Sequence, residues 1–270
     1  MSIVTISRGT FSGGKELAEC LASRLGYECV SREVMLEAAQ KYGVSADAIA
    51  AAIEKAPRFL DRLGRQRDAY VAFFRATLCE WALRGKLVYH GNAGHFLLAG
   101  VGHVLRARVV APMEYRIAAA MKRLSASRSE AIAYIDRVDR ERTRWTQFLY
   151  HVSWEDPHHY DIVLNLESMS MDTACEVLAH MAQRPDFQPT PESEAAMHNL
   201  AVKSRVLAAF AADPATSDAA VDVLVDHGSV TLNGWVKSQQ SIDSLVEVAR
   251  RVEGVREVTS QLAFKSGVPF

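Results

Sequence analysis

The chain has 270 residues, of which 49% are hydrophobic and 23% charged, and its 31 Lys and Arg nearly balance 32 Asp and Glu for a formal net charge of −1. That length holds one sizeable core or two domains, in the composition range of ordinary soluble globular proteins. The charge balance supplies no global attraction to nucleic acid or anionic membrane, and no apolar run approaches the roughly 18–20 residues that span a bilayer.

The opening residues enter a strand directly, without a basic segment followed by an apolar one, so no export signal is expected. Ile3-Val4-Thr5-Ile6 reads as a short strand, followed by a loop bearing Gly9, Gly13, Gly14 and Lys15. Gly9 to Lys15 fits G-x-x-x-x-G-K, a phosphate-binding loop between a strand and a helix. Glycines let the backbone approach phosphate closely, and the N–H groups opening a helix form an anion site. Lys15 adds a positive charge suited to the β- and γ-phosphates. The next position should carry a Ser or Thr hydroxyl for Mg²⁺, and here it is Glu16.

Leu17, Leu21 and Leu25 share a helical face that Gly26 ends, and a short strand is expected at 27–30. Helical patterns follow at 32–41, from 45 into the fifties, and at 68–83. Residues 86–90 and 104–110 read as strands, and Pro112 opens a helix. A long helix is expected from Ser127 to Tyr150, with Arg142 as a charge inside the stripe Ile135, Val138, Trp145 and Leu149. A strand at 161–166 and a helix at 170–183 complete this half. Strands alternating with helices predict a mainly parallel sheet covered on both faces.

Three prolines between 184 and 194 suggest a linker. Beyond it, Val202, Val206 and Phe210 line one helix face. Val221, Val223 and Val225 alternate, as do Val230 and Leu232 after the turn Asp226-His227-Gly228-Ser229, a hairpin signal. A second helix carries Ile242, Leu245 and Ala249, and Val258, Leu262 and Phe264 mark a strand. The order αββαβ describes a small α+β module. Cys20, Cys29, Cys79 and Cys175 form no C-x-x-C pair, so neither zinc nor a disulfide framework is expected and the setting reads as reduced and cytoplasmic.

Ser12-Gly13-Gly14-Lys15-Glu16 after Ile6-Ser7-Arg8 resembles the cytidylate kinase-like family, in which the glutamate is usual. Ser31-Arg32-Glu33-Val34, Asp139-Arg140-Glu141-Arg142 and Trp154-Glu155-Asp156-Pro157 followed by Tyr160-Asp161 and Asn165 resemble further segments of that family. The resemblance covers residues 1–182. It implies an α/β P-loop kinase sheet flanked by helices, ATP with Mg²⁺ as donor, and a pyrimidine monophosphate acceptor. Gly9, Ser12, Gly13, Gly14, Lys15 and Glu16 would hold the donor, and Arg140 and Arg142 would close over its phosphates. The alternative for the arginines of this helix is a solvated face paired with its carboxylates. No protein-built metal site is expected.

On the acceptor side the family's G-R-G-A-N-like turn is replaced by Gly91-Asn92-Ala93-Gly94-His95, and Ser31 stands where relatives tend to have Asp. Arg32, Asn92, His95 and Arg137 are the candidates there. Protonated His95 would restore the missing charge; an ordinary buried histidine is the alternative. Asp161 reads as a strand-edge turn residue.

Residues 202–264 resemble a BON domain through Val223-x-Val225, Gly228–Val236 and Val252-Glu253-Gly254-Val255, after a linker over 183–201. That resemblance implies docking to a protein partner or a membrane surface. Trp235 is either an exposed anchor or a core aromatic. Three readings follow: an ATP-dependent nucleoside monophosphate kinase, a nucleotide-binding regulator without turnover, and an adaptor acting through the last module. Nucleic acid is not an expected partner.

Overall fold

The computed structural model describes residues 2–31, 62–91 and 94–264. The helices expected at 32–41 and beyond 45, together with candidates Arg32 and Asn92, lie outside the described residues. The described residues fall into two compact units, one of 2–31, 84–91 and 94–193, the other of 62–83 and 194–264.

In the first unit the strands are β1 (Ile3–Arg8), β2 (Glu28–Ser31), β3 (Leu87–Gly91), β4 (Val104–Val110) and β5 (Ile162–Asn165). They form a five-stranded sheet of order β2-β3-β1-β4-β5. Every pairing is parallel, with Ile3 opposite Leu87 on one side of β1 and Val104 on the other. This is the α/β arrangement expected from the alternating pattern. Central β1 is buried along almost its whole length because both faces are covered, which is why it reads as an unbroken apolar run.

Helix α1 (Gly14–Leu25) lays Leu17, Ala18 and Leu21 on the sheet, and α6 (Met171–Ala182) packs beside it with Ala174, Cys175 and Leu178. Each fully buried leucine contributes about 1.5–3 kcal/mol. Gly26, at φ +66°, ends α1 in the left-handed cap expected of it. Cys20 of α1 and Cys175 of α6 form a disulfide with Cα atoms 6.3 Å apart. This corrects the reading that the cysteines make no bridge. The partners are 155 residues apart in sequence, and only the side-by-side packing of two helices brings them together. Between β4 and β5 lie α4 (Met113–Leu124) and α5 (Arg128–Tyr150), α5 opening on the Ser127–Glu130 capping box. Helix α3 (Gly94–Leu97) is one turn after β3.

The second unit contains α2 (Arg62–Leu83), α7 (Pro191–Ala212), β6 (Val221–Asp226), β7 (Ser229–Val236), α8 (Gln239–Arg250) and β8 (Glu257–Phe264). Of the interval expected as linker, Pro185–Phe187 form a 3₁₀ turn and α7 begins at Pro191. β6 pairs antiparallel with β7, and β7 parallel with β8. Val202, Val206 and Phe210 of α7 and Leu245 and Ala249 of α8 bury the inward residues Val223, Val230 and Leu232. Helix α2 precedes β3 in sequence yet belongs to this unit, with Cys79 3.7 Å from Ser204. Burial pushes the Cys79 thiol up to about 11. Trp235 is 68% exposed on β7, which decides against a core place for it. No helix among the described residues is long and apolar enough to cross a membrane.

Candidate functional site

β1 delivers the chain to the loop at Gly9, and the loop folds back onto the sheet. Ser12 Oγ donates to the carbonyls of Gly9 at 3.0 Å and Val109 at 3.3 Å, so this candidate pins the loop to β4. Gly13 is the N-cap of α1, at φ +84° and without a side-chain cap bond. A Cβ there would lie 2.9 Å from Leu166 Cδ1, and one on Gly14 would lie 2.6 Å from Arg8 Cβ. Only glycine fits either position. The first-turn N–H groups of α1 have no helical acceptor and open toward solvent, the arrangement that receives an anion.

Lys15 is partly exposed, its Nζ 3.6 Å from Glu19 one turn on. Glu16 faces Arg123 of α4 at 3.6 Å, with both side chains more than half exposed. Glu16 thus extends toward α4, and its carboxylate is countered by a neighbouring cation. A cleft of about 770 Å³ lies over the loop, lined by Arg8, Gly13, Gly14, Lys15 and Glu16 from the loop side and Arg142 from α5. Phe11, Tyr115 and Tyr134 supply aromatic surface to it, and Lys122 and Arg123 further positive charge.

The loop is fastened to α5 through Asp139. Its Oδ1 accepts from Thr10 N–H at 3.2 Å and Thr10 Oγ at 2.7 Å. Its Oδ2 takes Arg116 of α4, whose Nε also donates to the Thr10 carbonyl at 2.8 Å. Arg142 donates to the Arg8 carbonyl at 3.0 Å and lies 3.8 Å from Asp139. The charge inside the apolar stripe is therefore turned onto the loop. Arg140 is exposed and does not line the cleft, and Arg137 lies over the Tyr134 ring and pairs with Glu141 at 3.4 Å. The structure brings Lys15 and Arg142 to one cleft and leaves Arg137 and Arg140 outside its wall.

His95 is buried in α3 with its ring tilted against those of Phe96 and Tyr160. Burial first, and then the neighbouring His159 and Arg106, pull its pKa down to about 3. Its ring is neutral at physiological pH, so the charge expected from a protonated His95 is absent. Its Nε2 is buried and has no hydrogen-bond partner among the described residues. Asp161, just before edge strand β5, accepts from Arg106 N–H at 2.8 Å and from its guanidinium at 2.6 and 3.1 Å, tying the start of β5 to β4.

Sequence reasoning missed Arg116 and Arg108. Arg116 is one of several charges in an amphipathic helix and gave no signal. Arg108 did give one, as a cation inside the strand VLRARVV. It is buried, donates to the Trp154 carbonyl at 2.6 Å and lies over the indole at 4.6 Å. Tyr160 Oη donates to that same carbonyl at 2.6 Å and lies 3.2 Å from Ser7 Oγ. Trp154 is thus packed beside the sheet, while Glu155 and Pro157 after it are exposed. No three His, Cys, Asp or Glu side chains among the described residues gather as a metal site.

The family model of the cytidylate kinase-like family matches residues 3–168, and that of the BON domain matches residues 199–266. A crystal structure of an uncharacterized protein from Eubacterium ventriosum ATCC 27560 superposes with TM-score 0.52 at 17% identity, covering 68% of this chain and all of that one. That likeness is one of fold. TT1252 from Thermus thermophilus is 20% identical over 67% of this chain and 97% of its own, with TM-score 0.41. Shikimate kinase from Acinetobacter baumannii in complex with shikimate is 15% identical over 67% and 93%, also at 0.41. No curated protein matches the chain.

Proposed function

Because the chain belongs to the cytidylate kinase-like family, we propose that it transfers the γ-phosphoryl group of ATP to a nucleoside monophosphate of the CMP type. The observation that carries this reading is the glycine cradle at the N-terminus of α1, open to a cleft into which Lys15 and Arg142 both reach. Phosphoryl transfer needs little covalent help from a protein; it needs positioning and positive charge about the moving group. The N–H groups of Gly14 to Glu16 would hold donor phosphates, with Gly9 and Ser12 shaping the loop behind them. Lys15 would stabilise charge on the transferred group, and Arg142 would tie α5 to the loop beside it. Arg140, exposed on the same helix, and Arg137 would join only on closure over bound nucleotide.

ATP fits this cradle, since a side chain at Gly13 or Gly14 would fill it. Mg²⁺, when bound with the phosphates, supplies charge neutralisation. Glu16 already faces Arg123 and Glu19 faces Lys15, so phosphate oxygens would provide most of the metal's ligands. On the acceptor side Arg32 and Asn92 remain candidates, and His95 can contribute a neutral hydrogen bond. The second unit serves as a docking or regulatory module for a protein partner or a membrane surface.

The neutral state of His95 favours a second reading, a nucleotide-binding regulator without turnover. Purified protein incubated with ATP, Mg²⁺ and a panel of nucleoside monophosphates separates the two. The kinase reading expects a diphosphate from a pyrimidine monophosphate and none with Lys15→Ala. ATP binding with no diphosphate from any acceptor leaves the regulator.

A further inference from the structure

The second unit holds a concave site of its own, made where α7, the β6–β7 turn and the turn before β8 meet. A cleft of about 460 Å³ there is lined by His198 and Arg205 of α7, His227 of the hairpin turn, and Arg256 before β8. Among the described residues no carboxylate lines it. Its apolar floor includes Leu83, Val202 and Val255. The size is that of sites taking small molecules, which combine apolar walls with a few convergent polar groups.

The cleft is a constructed feature. Asn199 Oδ1 accepts the His227 N–H at 2.9 Å, holding the hairpin turn against α7. Arg256 N–H donates to the Gly228 carbonyl at 2.8 Å, joining the second turn to the first. Gly228 and Gly254 have φ of +87° and +93°, and side chains there would strike the Gly254 carbonyl at 2.8 Å and Val202 Cγ2 at 2.8 Å. The turns close together only with glycine at both positions, and closing them brings Arg256 alongside Gly228 in the same cleft that Arg205 lines.

The carboxylates nearest these cations leave the cleft positive. Glu253, 3.8 Å from Arg205, is 87% exposed, and Asp226, on His227 Nδ1, is 84% exposed. Neither lines the cavity. Among the described residues no carboxylate pairs with Arg256 or His198. Two guanidinium groups with donors in a fixed fork suit a phosphate dianion.

We propose that this cleft binds a soluble phosphorylated small molecule, its phosphate between Arg205 and Arg256 and its apolar body on Val202 and Leu83. The module is then a sensor of a phosphorylated metabolite, a site separate from the loop at Lys15.

The test is titration of the full-length ¹⁵N-labelled chain with phenyl phosphate, which carries both a dianion and an apolar body. Benzyl alcohol and mixed phosphatidylcholine–phosphatidylglycerol vesicles serve as parallel arms. Saturable shifts at the amides of His198, Arg205, Gly228 and Arg256 are expected with phenyl phosphate and not with benzyl alcohol. Arg256→Gln should weaken binding about tenfold, the loss of one charge-assisted contact. Arg205→Gln should act in the same direction, and unchanged amide dispersion shows that each variant is folded. Absence of shifts at these amides, or unchanged affinity in both variants, overturns the proposal. Binding to vesicles without binding of phenyl phosphate also overturns it, in favour of a membrane-facing surface.

Discussion

Asp139 holds Thr10 by two hydrogen bonds, from its backbone N–H at 3.2 Å and from its hydroxyl at 2.7 Å, across 129 residues of sequence. The same carboxylate neutralises Arg116, which is only 13% exposed. Asp139→Asn keeps the shape but leaves that arginine uncompensated, and removing one partner of such a pair exposes the full desolvation cost of the other. The variant should lose about 1–3 kcal/mol of stability by denaturant unfolding. It should also raise the KM for ATP, because the loop backbone is no longer fixed. Arg140→Ala, at an exposed position, should change stability by no more than about 0.5 kcal/mol. Equal unfolding midpoints for the two variants contradict this account.

Gly13 requires a left-handed φ and leaves 2.9 Å between a Cβ and Leu166. Gly13→Ala meets both obstacles. The backbone term alone costs about 1–2 kcal/mol, and the clash must be relieved by shifting either Leu166 or the cradle. Nucleotide affinity should fall more than stability does, since the first-turn N–H groups move with residue 13. Parallel measurement of ATP binding and thermal unfolding checks the ratio.

The loop and the sheet were legible because their signals are local. Apolar runs bounded by glycines marked β1 and β3, and the spacing of Gly9, Gly13 and Lys15 marked the cradle. The clamp was half legible. Asp139 sits in the quoted Asp139–Arg142 segment, but the motif drew attention to its arginines, and only packing of α5 against the loop shows that the aspartate makes the contact. Arg116 and the Cys20–Cys175 bridge were not legible, since each depends on which helices become neighbours. His95 was legible as an acceptor-side residue but not in its charge state, which follows from burial against Phe96 and Tyr160.

Lys15 and Glu16 separate the loop's chemistry from its electrostatic surroundings. Lys15 makes one exposed ion pair with Glu19, and such pairs contribute about 0–1 kcal/mol. Lys15→Ala should therefore leave the unfolding midpoint nearly unchanged while abolishing phosphoryl transfer. Glu16→Gln removes a carboxylate that faces Arg123 and should reduce turnover far less. Comparable losses of kcat in the two variants count against Lys15 as the group acting on the transferred phosphate.

The Cys20–Cys175 bridge closes a loop of 155 residues between α1 and α6. Chain-entropy arguments put the effect of such a crosslink at about 5 kcal/mol as an upper figure. Oxidised protein should unfold at a higher temperature than the Cys20→Ser/Cys175→Ser double variant, and the difference should vanish in reductant. Cys29 and Cys79 stay free and serve as the internal thiol count.

His95 makes the fold acid-sensitive in a defined direction. Its pKa is about 3 in the folded chain, against 6.5 for the free side chain. The unfolded state therefore binds a proton that the folded state refuses at intermediate pH. Stability rises with pH wherever the unfolded state holds more protons. The contribution of neutral His95 is thus fully present above about pH 6.5 and is lost as pH falls toward 3, at a slope of about 1.4 kcal/mol per pH unit. His95→Gln removes this titration while retaining a polar side chain, so its stability should fall less steeply between about pH 6 and pH 4.5, above the range where most carboxylates titrate. Denaturant unfolding of both proteins across that interval measures the two slopes, and parallel slopes would show that the His95 ring takes up its proton equally in the folded and unfolded chain.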